Sequence, residues 1–205
     1  MLLLEKGLIN MVEYYYEKGG FMMKIPVPSD IVEYSARELL QERGVELEDI
    51  AAIVYELQIK YNPAISMLDC IHSVDAVLWK REVQHAVLVG IELDRLAERG
   101  LLSEPLLSLI RSDEGLFGVD ETIALGSVFG FGSIAVTTFG YLDKAKPGII
   151  EKLDSQTDEC HTFLDDLVCS IAASAAARIA HHYRDKEEQR SQAEILKRQN
   201  EELIG

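Results

Sequence analysis

The sequence predicts an all-α protein: a single-domain helical bundle with a buried central helix surrounded by about five others. Three observations carry this. Apolar residues recur at helical spacing through the segments before Gly100, the mark of amphipathic helices. Helix-breaking residues (Gly44, Pro63, Gly100, Pro147-Gly148) separate those segments. Two uncharged runs, Thr122 to Leu142 and Leu167 to Ala177, then supply the apolar mass that a bundle can bury.

The elements follow in order. Residues 29–44 give a helix with Ser29 as N-cap, Gly44 as stop, and Ile31, Tyr34, Leu39 and Leu40 at roughly helical spacing. The next helix puts Ile50, Ile53, Val54 and Leu57 on one face. Ser66 caps a third helix that runs through Leu78, and a long amphipathic helix spans Lys80 to Arg99, ended by Gly100. Pro105 sits in the first turn of a short helix, where its missing N–H matters least. Residues 112–121 form a loop into the first uncharged run.

Within that run, residues 133–142 are the one strand candidate, rich in β-branched and aromatic side chains. Helical flanks and the lack of partner strands make it helix. Gly126, Gly130, Gly132 and Gly140 each disfavour an isolated helix by about 1 kcal/mol, but in a bundle they let backbones approach closely. The run approaches the ~20 residues of a membrane span. Its threonines, serines and glycines dilute its hydrophobicity, so it reads as the buried helix ringed by amphipathic ones. A short helix follows Pro147-Gly148. From about Glu159 the chain reads as helix almost to its end, Ala-rich and buried first, then nearly all polar.

This gives three regions: an N-terminal helical extension (1–28), the helical domain (29–183) and a polar C-terminal helix (184–205). The first segment lacks the basic start and cleavage site of a signal peptide. Met22-Met23 offers an alternative start, and Tyr14, Tyr15 and Tyr16 form a face for packing on the body or on another subunit.

Composition narrows the function. A chain of 205 residues that is 48% apolar sustains a real core. A formal charge of −15 opposes nucleic acid, which demands a basic footprint. It also disfavours anionic membranes unless metal ions screen the approach. The three cysteines, Cys70, Cys160 and Cys169, form no CxxC pair, so the expected compartment is a reducing cytoplasm. Cys160-His161 lacks a second pair at zinc-ligand spacing, His181-His182 read as surface residues, and the Gly130–Ser133 stretch lacks the strand and GK[ST] of a phosphate loop.

The acids are the most informative feature. Asp120-Glu121 precede the first uncharged run, Asp143 follows it, and Asp165-Asp166 open the second. Carboxylates at the mouths of buried helices are costly unless something positive meets them. One reading is that they merely favour helix dipoles. The other is that they jointly hold one or two divalent ions, with adjacent members of a pair diverging by about 100° on a helix. Lys146 stands three residues after Asp143, close enough to hold a phosphate at the same site.

In order and spacing, Asp120-Glu121, then Leu142-Asp143 with Lys146-Pro147, then Asp165-Asp166 before an apolar helix resemble phosphatidylglycerophosphatase A. The resemblance covers roughly Val87 to His182 and brings in Asp94 as an upstream acid. Cys169-Ser170 replace the family's Ala-Gly, and the early Ser-Pro/Pro-Gly-Thr segment has no counterpart. The chain looks like the family's soluble, low-temperature-requirement branch. The resemblance implies a Mg-dependent phosphomonoesterase acting on a phosphorylated lipid head group such as phosphatidylglycerophosphate. Expected catalytic residues are Asp143, Lys146 and Asp166, with water attack favoured and an Asp143 nucleophile as a variant. Expected metal ligands are Asp120, Glu121, Asp143, Asp165, Asp166 and Asp94. Expected partners are that head group or a small phosphomonoester, a transient membrane surface, and further copies of the chain. The alternatives are a non-catalytic metal-binding regulator or assembly protein, and a phosphatase of a small soluble metabolite.

Overall fold

The computed structural model describes residues 27–113, 118–156 and 158–188, with 194, 196, 197 and 200 further on. The N-terminal extension, its tyrosines and methionines, the middle of the 112–121 loop and most of the polar C-terminal segment lie outside the described residues.

Among the described residues every regular element is helical. Helix α1 (Ser29–Glu42) has Pro28, not Ser29, at its N-cap position, with no side-chain cap. Its buried stripe is Val32, Ala36 and Leu40. Tyr34, expected among the apolar positions, is exposed and donates to Glu38 Oε1 at 3.0 Å. Helix α2 (Leu47–Gln58) opens with a reciprocal capping box between Glu46 and Asp49 and buries Ile50, Ile53 and Val54. Helix α3 (Met67–Leu78) is capped by Ser66, whose Oγ accepts from the Asp69 N–H at 3.2 Å.

Helix α4 (Arg81–Glu98) ends before Gly100 (φ 67°), and the short α5 covers Leu106–Ser112. The first uncharged run forms two helices, α6 (Val119–Val128) and α7 (Gly132–Ala145), joined by a 3₁₀ turn at Phe129–Phe131. Gly132, at φ 82° and ψ −175°, takes a conformation that side-chain-bearing residues avoid, and it redirects the chain there. Helices α8 (Ile149–Asp154) and α9 (Leu164–Glu187) complete the fold.

A buried central helix is present, but it is α9 rather than the first uncharged run. Helix α9 packs against α2, α3, α4, α6, α7 and α8, and every residue from His161 to Ala177 is buried. The physical reason is side-chain size. The alanines and serines of 170–177 make a thin rod that several helices can approach at once. The α6–α7 stretch, Val119–Ala145, has the length and apolarity of a membrane span by composition alone. Only 33% of its most apolar window is buried, and Phe129, Ile134 and Tyr141 face outward.

The junction of α4 with α9 depends on one close approach. A Cβ on Gly90 of α4 would lie 2.6 Å from Leu167 Cδ1 and 3.0 Å from Phe163 Cβ. Only glycine lets α4 meet the start of α9 at this distance.

Candidate functional site

The antiparallel pairing of α7 with α9 assembles the site. Gly132 at the start of α7 lies near His181, and Lys146 just past its end reaches Asp165. The first turn of α6, carrying Asp120 and Glu121, meets the first turn of α9, carrying Asp165 and Asp166.

Asp120, Glu121 and Asp166 each offer a carboxylate oxygen, and the three lie within 4.8 Å of one another. Oxygens at 2.0–2.6 Å from a common centre have about this spread, so the trio could hold one divalent cation. Two further observations fit that use. Glu121 Oε2 is buried and has no hydrogen-bond partner. The carboxyls also resist ionisation. Burial, then Asp165, Asp143 and Glu121, push Asp166 up to about 9. The neighbouring Asp120 carboxyl, then burial, push Glu121 up to about 7. Such a site is short of positive charge, and a cation would reverse these shifts.

Asp143 and Asp165 face a different centre. Lys146 Nζ lies 2.5 Å from Asp165 Oδ2, 3.1 Å from Asp154 Oδ1 and 3.7 Å from Asp143 Oδ1. Burial alone would lower the ammonium's pKa, but the bonds to Asp165 and Asp154 more than reverse that and hold it cationic. Asp165 is itself raised by burial, against the pull of Lys146 and of the Asp166 N–H.

Lys146 adopts the left-handed conformation (φ 45°), its N–H donating to Leu142 O at 2.7 Å, and Pro147 then prevents the helix from continuing. Asp113 (φ 54°) is the other non-glycine residue with positive φ among the described residues. Burial, then the charges of Asp165 and Asp120, push its carboxyl up to about 6. Backbone strain of this kind clusters at functional sites.

Asp94 stands apart from the trio. It is fully buried, and its oxygens accept from the N–H groups of Phe163 (3.2 and 3.3 Å) and Leu164 (3.1 Å). It therefore caps α9 from α4, supplying acceptors to N–H groups that a helix start leaves unpaired. Burial pushes it up to about 8, against those bonds and Arg43. Beside it, Arg43 Nη2 donates to Glu98 Oε1 and to Cys160 O, both at 2.6 Å. His161 Nε2 lies 2.6 Å from Gln156 Oε1. This second cluster clamps the segment that leads into Asp165-Asp166.

Asp113 and Asp154 were not expected from the sequence. Asp154 ends a short helix directly after Lys146-Pro147, which is a usable signal. Asp113 lies at the edge of a loop with no periodicity to orient it.

Comparison with known proteins identifies the family. The family model for phosphatidylglycerophosphatase A matches residues 40–181. The uncharacterized protein YpjQ of Bacillus subtilis is 53% identical over 159 residues, covering 77% of this chain and 90% of its own. Its crystal structure superposes with a TM-score of 0.74, covering 78% of this chain and 99% of that one. The crystal structure of low temperature requirement C protein from Listeria monocytogenes gives a TM-score of 0.73 at 54% identity, over 75% of this chain and 98% of that one. With its family model spanning most of the helical domain and relatives above half identity, this chain belongs to the phosphatidylglycerophosphatase A family.

Proposed function

We propose that the chain is a divalent-cation-dependent phosphomonoesterase, with magnesium as the natural ion and a phosphorylated lipid head group such as phosphatidylglycerophosphate as substrate. The observation that carries this is the trio of Asp120, Glu121 and Asp166 beside a lysine held cationic. A phosphomonoester brings two negative charges, and family membership supports a phosphatase. A divalent ion held by the trio would neutralise phosphoryl charge and activate water as a nucleophile.

The chain's own groups supply the rest. Lys146 binds a phosphoryl oxygen after giving up Asp143, the most distant of its three carboxylates. Asp143 is about one-third exposed, which leaves it free to orient the incoming water or the leaving oxygen. The buried Asp165 carboxyl holds the start of α9, its Oδ1 accepting from the Asp166 N–H at 2.9 Å, which leaves the Asp166 carboxyl to the ion.

The test is phosphate release from vesicles containing phosphatidylglycerophosphate and from soluble phosphomonoesters, with magnesium, with manganese and with chelator. Metal-dependent release from the lipid alone supports the reading. Release only from soluble esters moves the substrate to a small metabolite, and no release from any of them rejects the enzymatic reading.

A further inference from the structure

We propose that Lys146 occupies the position of a second cation, so that the chain takes one divalent ion at Asp120, Glu121 and Asp166 and uses the lysine ammonium where a two-ion site would place another. This rests on the metal-dependent reading of the site and fixes its ion count.

Two sets of three carboxylates meet at the start of α9. In one set the ligand oxygens of Asp120, Glu121 and Asp166 face one another, and Glu121 Oε2 is left without a partner. In the other, Asp143, Asp154 and Asp165 come from α7, α8 and α9 respectively. Their oxygens converge on Lys146 Nζ at 3.7, 3.1 and 2.5 Å. The sets are joined through consecutive residues, Asp165 and Asp166. The sets share no carboxylate, but as in two-ion phosphoryl-transfer sites two acid-lined cation positions stand side by side.

The lysine is built into its position. A residue at the end of an exposed helix normally swings its ammonium into water. Lys146 instead has a left-handed backbone, a following proline and only 26% side-chain exposure. An ammonium is a compact point charge with three donors, and three carboxylates surround this one. A divalent ion entering there would have to displace it against three charge-assisted contacts. Filling the position with a tethered +1 charge makes the site's second positive group independent of ion concentration.

Manganese stoichiometry tests this, by native mass spectrometry and equilibrium dialysis on the full chain. The wild type should bind one ion at the site. Lys146→Met and Lys146→Gln should each bind two, and their manganese EPR spectra should show the spin coupling of an adjacent pair. Lys146→Arg, which keeps the charge, should remain at one. Two ions in the wild type, or one in both neutral variants, overturns the inference while leaving the metal-dependent reading standing. No ion in the wild type overturns both. Should either neutral variant fail to fold, the other variant and the wild-type count still decide.

Discussion

Two acidic clusters lie at the start of α9, and they differ in how completely their charges are met. Around Asp94, three backbone N–H contacts and the nearby Arg43 engage the carboxylate, and Arg43 in turn is taken by Glu98 and Cys160 O. Around Asp166, carboxylates outnumber the cation that faces them, and a buried oxygen of Glu121 has no partner. Both clusters hold aspartates less than a tenth exposed. Burial of an acid is therefore no sign of function by itself. The informative difference is whether the protein has completed the acid's interactions with its own groups.

The sharpest way to break this comparison is to remove one acid from each cluster and read activity. Asp166→Asn should lower phosphatase turnover by about 10²–10³, the usual loss for one preorganised charge contact. Asp94→Asn, measured on the folded fraction, should stay within a few-fold of wild type. Equal losses in the two variants would erase the distinction between site and scaffold.

Stability should respond in the opposite sense. Asp94→Ala strands buried N–H groups at the head of the central helix and should destabilise by about 2 kcal/mol or more. Asp166→Asn removes a carboxyl that must take up a proton to be buried, and should raise the melting temperature in chelator at neutral pH. Urea denaturation of both variants checks this, and an Asp166→Asn protein less stable than wild type without metal would count against an uncompensated site.

Magnesium sharpens the contrast further. At 100 times its dissociation constant an ion that binds only the native state stabilises by about 2.7 kcal/mol. That gain should survive in Asp94→Asn and vanish in Asp166→Asn, as read by thermal denaturation with and without the ion.

The last contrast is in pH dependence. Asp113, Glu121, Asp94 and Asp166 are raised to about 6, 7, 8 and 9. A raised carboxyl keeps its proton in the folded chain when the unfolded chain has released it. Stability therefore falls as pH rises from the ordinary carboxylate range, near 4, toward each folded value, and levels off above it. In chelator the melting temperature should drop between about pH 5.5 and 8.5, at about 2–4 °C per 1 kcal/mol for a chain of this size. Saturating magnesium should remove the share of the drop that belongs to Glu121 and Asp166 and leave that of Asp94. A rising curve in chelator would show that these acids are compensated by something else.

Much of the fold was legible in the residues themselves. Helical periodicity and the Ser66 cap marked out the first four helices nearly to the residue. The acids of the three motifs do gather at the start of α9. What was missed has physical causes. The longer uncharged run reads as the buried centre, because hydropathy counts apolar residues and ignores how closely thin side chains let helices approach. Asp94 does not separate from the other acids, since a carboxylate facing backbone N–H groups and one facing other carboxylates look alike in one dimension. Asp113 and Asp154 escape notice because they stand on a left-handed turn and a short helix rather than in any repeat.

Gly90 links the apolar interior to the chemistry. Asp94 lies four residues after it, one turn along the same face of α4, about 6 Å further along the axis. The missing methyl at Gly90 lets α4 sit against Leu167 and Phe163, and that proximity brings Asp94 onto the first N–H groups of α9. The alignment of Asp165 and Asp166 thus inherits its tolerance from a hydrocarbon contact with no polar atom in it. A single added carbon would act as a shim between two helices, tilting the carboxylates at their far end without touching one of them.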